Sequence, residues 1–438
     1  MDVCERCVMN SCCSEQQCEA VSPSSSGGSL LIIGGGSAAF SAATRGVEMG
    51  AKKVTIINDH LPTGGTCVNT GCVPSKTLIR AGEVLHRAKH NRFAGIHTSG
   101  KLVDFAAVIE QERRLVSDLR QAKYLDVIRN LHQVELIQGH ATLVDANTVA
   151  VDHQARRSAD HILIATGATA ALPQIPGLAD VGYLTNESAF ELDRLPESLI
   201  VLGGRYIALE CAQMFARLGS RVTLLQRSNR ILPTEASDIT DPLTHYLMDE
   251  GVEIVTGVAA QKVHRDHGGV VLTAHVNGEE RDFAASHILV ATGRKPNTHN
   301  MGLEKIGVRL DQNGFIHAGP NLQTSLPNVW AAGDVLGRHM FVYTAAYEGA
   351  LAAENALTRA NRLADYTALP WVVFTDPQVA GVGMDEHQAR AAGYGAEVAS
   401  LPLEYVPRAI AAHDTRGLIK LIRDRNSDRL LGARILAP

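Results

Sequence analysis

Two stretches of the chain repeat one pattern, an apolar strand, a glycine turn, a helix and a second apolar strand, and that repetition constrains the fold more than any other feature. In the first, residues 30–33 run into Gly34-Gly35-Gly36-Ser37-Ala38-Ala39, a helical stretch to Met49, a stop at Gly50 and a strand over residues 53–57. In the second, residues 198–202 meet Gly203-Gly204-Arg205-Tyr206-Ile207-Ala208, a helix to Leu218, a stop at Gly219 and a strand over residues 221–225. A glycine turn between strand and helix lets the backbone approach a pyrophosphate, which the unpaired N–H groups of the helix start then hold. Gly34 serves the turn, Gly36 the close approach and Ala39 the helix–strand packing, and Gly203 and Ala208 are their counterparts in the second unit. Two such units imply two nucleotide cofactors. Arg205 stands where the second unit should carry its middle glycine, a place where a side chain either crowds the pyrophosphate or turns outward to pair with a phosphate.

The residue after the second strand of each unit separates ribose from ribose-phosphate recognition. Gln226-Arg227-Ser228-Asn229-Arg230 offers two cations and no acid, which suits a 2′-phosphate and therefore NADPH. In the first unit Asn58-Asp59 occupies the place of the usual acid, with Asn58 or Asp59 as the acceptor. Residues 161–167 and 287–293 are two further apolar strands, each ending in Ala-Thr-Gly, and they bracket the second unit. The chain is therefore predicted to be α/β, with two Rossmann-like dinucleotide-binding domains, the second inserted into the first; the family resemblance given below implies a partial α+β interface domain after them. The boundaries are 29–160 with 290–362 for the first, 161–289 for the second and 363–438 for the third, whose unfinished sheet would expose an edge. Residues 328–334 form another strand that carries Asp334 at its carboxyl end, where ligands of such sheets bind.

Between the two units lies Gly64-Gly65-Thr66-Cys67-Val68-Asn69-Thr70-Gly71-Cys72-Val73-Pro74-Ser75-Lys76. A thiol acts as nucleophile or metal ligand only as the thiolate, and a helix N-terminus with a nearby cation favours that form. Gly64-Gly65-Thr66 reads as the start of such a helix. Side chains five positions apart do not share a helical face, so joining Cys67 to Cys72 requires an irregular first turn or a first cysteine ahead of the helix. Gly71 and Pro74 permit either. The competing readings are a pair of buried cysteines acting as small hydrophobes and a zinc site, which needs a second pair downstream where only Cys211 follows. The glycine turn and Lys76 favour the redox reading.

The 438 residues predict about three domains, and 45% apolar with 20% charged residues describe an ordinary globular protein. A net charge of −5 argues against nucleic acid and acidic membrane surfaces as partners. No apolar run approaches the ~18–20 residues of a membrane span, and the N-terminus carries no basic stretch and apolar core of a secretion signal. A cytoplasmic location is expected, where paired cysteines are more often catalytic or metal-binding than structural. Residues 1–28 read as a Cys-rich disordered tail and linker, with Cys4, Cys7, Cys12, Cys13 and Cys18 ahead of a Ser/Gly/Pro run. Their spacing suits a soft-metal trap able to pass an ion to Cys67 and Cys72.

Over residues 30–438 the chain resembles the flavin-dependent pyridine nucleotide-disulfide oxidoreductases, and among them the mercuric reductases most closely. The motifs that carry the resemblance are Gly34 to Ala39, the cysteine run through Lys76, Tyr206 to Glu210, Ala291 to Asn297 and Ala332-Gly333-Asp334. The mercuric reductase branch is marked by His339-Met340-Phe341-Val342-Tyr343, Phe374-Thr375-Asp376-Pro377, Val406-Pro407-Arg408-Ala409 and Asp414-Thr415-Arg416-Gly417. The resemblance implies FAD along Gly34, Gly36, Ala39, Asn58, Gly65, Thr66, Lys76, Ala141, Asp334 and Val342, NADPH on the opposite flavin face by Gly203, Ala208 and Arg227, and a further cofactor contact at Gly293. It implies that Tyr206 covers the flavin until the nicotinamide displaces it, and that Lys76 and Glu210 form an ion pair tuning the flavin. Cys67 would be the outer, exchanging sulfur and Cys72 the one against the flavin. The implied reaction passes hydride from NADPH to FAD, which opens a Cys67–Cys72 disulfide to a dithiol; the two sulfurs suit and hold Hg(II), a soft ion, and a second NADPH delivers electrons through the flavin to release Hg(0). Two alternatives stand beside it: a reductase of dithiol or disulfide substrates such as lipoamide, whose His-Glu proton shuttle lies in a C-terminal segment beyond Pro438, and a flavoprotein that binds soft metal without efficient turnover. The relatives work as homodimers in which a C-terminal cysteine pair and tyrosine reach the partner's active site, and the chain ends before that segment.

Overall fold

The structure, a computed structural model, describes residues 27–438, so the reading of residues 1–26 as a metal-trapping tail lies outside the described residues. The first sheet has five parallel strands, in the order Val329–Ala331, His161–Ile164, Gly27–Ile33, Ala51–Asn58 and Val134–Gln138. Its central strands are apolar runs rather than alternating ones because layers cover both faces; Leu30, Leu31, Ile32 and Ile33 are all buried. The helix Ser37–Glu48 lies against the helix Val342–Thr358, and Gly349 permits the approach, since a Cβ there would stand 2.1 Å from the Ala38 carbonyl oxygen. Gly27 and Gly28, read as the end of a linker, already belong to the first strand, where Gly27 pairs with Ala51.

The second sheet is also parallel, in the order Glu253–Val255, Arg221–Leu225, Ser198–Leu202 and His287–Val290. Its helix Tyr206–Leu218 is buried along nearly its whole length. The expected boundaries shift here. His161–Ile164 pairs with Gly27–Ile33 and Val329–Ala331, so it is a strand of the first sheet and the chain leaves that unit after residue 164, not before 161. His287–Val290 pairs with Ser198–Leu202, so the return follows residue 290. The two Ala-Thr-Gly strands look alike because they do the same job: a Cβ at Gly34 would lie 2.2 Å from the Ala165 oxygen, and one at Gly203 would lie 2.3 Å from the Ala291 oxygen. The short antiparallel pair Ala168–Ala170 and Arg294–Pro296 joins the two crossings between the units.

Residues 370–437 build a five-stranded antiparallel sheet in the order Pro370–Val373, Gln378–Gly383, Leu430–Ala437, Leu418–Asp424 and Ala396–Pro402. The last strand, Leu430–Ala437, is paired on both sides, and the edges of the sheet are Pro370–Val373 and Ala396–Pro402. One face of this sheet packs on the second unit through buried ion pairs. Lys420 Nζ reaches Asp238 at 2.8 Å and Glu386 at 3.0 Å, and Arg434 Nε reaches Glu235 at 2.8 Å. The opposite face presents the cross-strand row Leu401, Ile419 and Ile435 with Leu421 beside it, and Leu401, Leu421 and Ile435 are exposed. Among the described residues no helix is long and apolar enough to cross a membrane.

Candidate functional site

The cysteine run folds as two helices. Gly65–Asn69 carries Cys67, the chain breaks at Thr70 and Gly71, and Cys72 is the first residue of the 18-residue helix Cys72–Lys89. This break resolves the spacing problem, because the two sulfurs belong to different helices and need no common helical face. Both are partly buried free thiols. Interaction with Cys72 and burial push the Cys67 thiol up. The Cys72 thiol is pulled down from 9.0 to about 7 by its interaction with Cys67, with the Lys76 charge adding to it against burial. Its place at a helix N-terminus acts in the same direction.

Lys76 sits one turn further along that helix. Its Nζ donates to Glu210 Oε2 at 2.8 Å and lies 4.4 Å from the Phe374 ring centroid. Glu210, buried on the helix Tyr206–Leu218, accepts from the Phe374 backbone N–H at 2.9 Å with its other oxygen. A charge-assisted bond on one oxygen and a backbone donor on the other fix the carboxylate. Tyr206, one helical turn before Glu210, stacks between Phe341 and Trp371. The structure thus brings Cys67, Cys72, Lys76 and Glu210 together, gives Phe374 of the Phe374-Thr375-Asp376-Pro377 motif its place beside Lys76, and adds Trp371, for which the sequence offers no periodic or compositional signal. Tyr343 and Tyr124 also lie in the electrostatic field of the thiols, since the Cys72 charge helps push up both phenols, after burial.

Around the first glycine turn the backbone forms a cradle. Gly34 (φ +122°) and Gly65 (φ +65°) occupy left-handed conformations, and a Cβ at Gly65 would meet the Gly36 Cα at 2.5 Å. A Cβ at Gly36 would meet nothing closer than 3.7 Å, so the space above it is open. Thr66 follows on the same turn and Val342 begins the helix Val342–Thr358. At the carboxyl ends of the strands, Thr166 Oγ1 and Arg294 Nε are buried without a hydrogen-bond partner among the described residues. Asp334 stands 3.7 Å from that Arg294 nitrogen, with burial holding its carboxyl above the usual range against the pull of Arg294. Buried polar atoms left without partners are costly, and a polar ligand satisfies them. Cradle and orphaned groups together fit a flavin dinucleotide.

Four of the expected residues lie beneath the surface. Ala39 and Ala208 are wholly buried, where they allow helix and strand to close. Asn58 is buried beneath the turn, its amide donating to the Leu61 oxygen at 2.9 Å and to Gln138 at 3.3 Å, while Asp59 is engaged by His140 at 2.8 Å. Ala141 is buried and opens the small strand Ala141–Leu143. On the second unit, Arg205 is exposed at the helix start, and Arg227 and Arg230 are exposed with no ion-pair partner among the described residues. Gly293 lies exposed next to Arg294. This set of free cations beside a glycine turn fits the phosphates of NADPH.

Residues 28–349 match the family "Pyridine nucleotide-disulphide oxidoreductase", and residues 369–438 match the dimerisation domain of the same family. The chain belongs to the pyridine nucleotide-disulphide oxidoreductases and is an oxidoreductase with FAD and NADPH as its cofactors. Its relatives include a mercuric reductase of Staphylococcus aureus, 45% identical over 91% of this chain and 72% of that protein, and one of Streptomyces lividans, 43% identical over 91% and 84%. A mercuric reductase of Bacillus cereus is 42% identical, and the match spans 63% of its length. Among solved structures, the HOCl-induced flavoprotein disulfide reductase RclA from Escherichia coli superposes with a TM-score of 0.81 at 31% identity, over 93% of this chain and 89% of that one.

Proposed function

We propose that this chain reduces Hg(II) to Hg(0) with electrons from NADPH, using Cys67 and Cys72 as the working sulfurs. The observation that carries the reading is the pair of free thiols, Cys67 on one short helix and Cys72 at the start of the next, with the Lys76–Glu210 ion pair on that second helix and its neighbour. Its relatives named mercuric reductase support the same substrate. What FAD supplies when bound is a two-electron relay between nicotinamide and sulfur. Gly34, Gly36, Gly65 and Thr66 would hold its diphosphate, with Asp334, Thr166 and Arg294 along its polar chain. Arg227 and Arg230 bind the 2′-phosphate of NADPH. Tyr206 shields the nicotinamide position until the dinucleotide arrives.

Two thiolates are the ligands a soft dication prefers. Cys72 enters as thiolate, Cys67 loses its proton on binding the metal, and Lys76 keeps the Cys72 charge favourable while Glu210 fixes Lys76. The balance is NADPH plus Hg(II) to NADP+, a proton and Hg(0): two electrons leave the nicotinamide and two reach the metal. Hg(II)-dependent NADPH oxidation by the purified full chain, lost in Cys72→Ala, tests the reading. Oxidation that needs a disulfide substrate and ignores Hg(II) turns it towards a disulfide reductase. Action in the cytoplasm, where thiols are kept reduced, and assembly as a homodimer belong to the same proposal. The match to the dimerisation domain and the exposed row of Leu401 and Ile435 support the dimer.

A further inference from the structure

Tyr206 is one member of a row of rings drawn from three parts of the molecule. It stacks on Phe341 with centroids 6.1 Å and planes 21° apart, and on Trp371 at 5.9 Å and 11°. Phe341 stacks in turn on Tyr343 at 5.4 Å and 7°, and the Tyr343 hydroxyl donates to the carbonyl of Pro370, the neighbour of Trp371. Tyr206 opens the helix of the second unit, Phe341 and Tyr343 flank the start of Val342–Thr358 in the first, and Trp371 lies on the first strand of the interface sheet. Offset rings at these separations attract each other beyond the area they bury.

Trp371 has little freedom of its own. Across the sheet, a Cβ at Gly381 would lie 2.6 Å from a Trp371 ring atom, so the indole occupies the space a side chain would need. The Arg434 guanidinium stands 5.4 Å from its ring centroid, and Arg434 is itself fixed by Glu235 at 2.8 Å and by the carbonyls of Val382 and Ala433. A cation held against an indole face is an additional attraction.

We infer that Trp371 is a positioning residue that seats the Tyr206 ring and thereby sets how readily the nicotinamide half of NADPH takes that ring's place. The inference rests on the reading of Tyr206 as the ring over the nicotinamide position. A site whose open form is only fractionally populated binds its ligand more weakly by that fraction. Each ring that stacks on Tyr206 lowers the open fraction, and removing one raises it.

Titration calorimetry of the oxidised, FAD-loaded full chain with NADP+ tests this without turnover. Trp371→Leu is expected to bind NADP+ about five-fold more tightly, and Trp371→Phe, which keeps a ring, to stay within roughly two-fold of the parent. Because Trp330 is buried in the first core, NADP+ is also expected to change tryptophan emission in the parent and not in Trp371→Phe. Unchanged or weaker binding in Trp371→Leu, with FAD content and melting temperature retained, overturns the inference. If that variant does not fold, Gly381→Ala displaces the same ring, is expected to shift affinity in the same direction, and its failure to do so overturns the inference equally. Tyr206→Ala separates the two readings. If it leaves NADP+ affinity unchanged, the reading of Tyr206 itself fails. If it tightens binding while Trp371→Leu does not, only the role of Trp371 is lost.

Discussion

Cys72 and Cys67 are the same residue type placed five positions apart, yet their titrations move in opposite directions, with Cys72 at the start of a long helix four positions before Lys76. With its titration lowered from 9.0 to about 7, about half of Cys72 is thiolate at pH 7, against about 1% for an unperturbed thiol. The sign follows from a depressed acid: the thiolate is present above about pH 7 and is lost as pH falls through that value. Alkylation of the reduced protein by iodoacetamide is therefore expected to rise with a midpoint near the same pH. Lys76→Met moves that midpoint upward, since the Lys76 charge is one of the causes of the depression; a midpoint unmoved by the substitution contradicts the assignment. At the second unit, Arg227→Ala with Arg230→Ala is expected to raise the KM for NADPH about ten-fold or more, as lost charge-assisted bonds to a phosphate, and to leave the KM for NADH unchanged. The cysteines and Lys76 were legible because their chemistry is written in residue type and spacing. Trp371 was not, and Phe374 was visible only as a member of a motif, because what makes them matter is which ring or carboxylate the fold sets beside them.

At the scale of elements, the two glycine turns show why local backbone constraints read well from sequence. Gly34 and Gly203 have φ near +120° and each faces a carbonyl oxygen that excludes any side chain, so the residue type reports the conformation directly. Gly65→Ala combines a left-handed φ with a Cβ 2.5 Å from Gly36, and is expected to weaken FAD retention about ten-fold or more. Flavin absorbance after gel filtration measures it. Sheet membership reads less well, as His161–Ile164 shows: its own residues declare a buried strand, but only its partners say which sheet it joins. The Arg434–Glu235 pair illustrates the same limit for packing, since two charged residues 199 positions apart are nearly fully buried against each other. Arg434→Leu strands Glu235 and is expected to cost about 3–5 kcal/mol in denaturant unfolding. Burial already holds the Glu235 carboxyl above its ordinary value, so without Arg434 it takes up a proton more readily. A carboxyl raised in the folded state favours folding at low pH and loses that advantage as pH rises, so the deficit of Arg434→Leu shrinks on acidification. A deficit that grows instead speaks against an unpaired Glu235.

For the whole molecule, the arrangement of three units around one pair of sulfurs is the functional statement. Lys76 of the first unit meets Glu210 of the second beside the sulfurs, and the interface sheet closes on the second unit through Phe374, Trp371 and the ion pairs of Arg434 and Lys420. The antiparallel order of that sheet, with Leu430–Ala437 inside it, came from long-range pairing that an apolar strand pattern does not specify. Its outer face is apolar along Leu401, Leu421 and Ile435, and light scattering is expected to give twice the mass of the chain, falling towards one chain when Leu401 and Ile435 are both replaced by Lys. The most direct measurement is the yield of Hg(0) vapour from the FAD-loaded full chain given NADPH, Hg(II) and excess small thiol, with NADPH oxidation followed in the same vessel. The account predicts one Hg(0) released per NADPH oxidised and no vapour from Cys67→Ala. NADPH consumed without vapour, or vapour that survives Cys67→Ala, contradicts it.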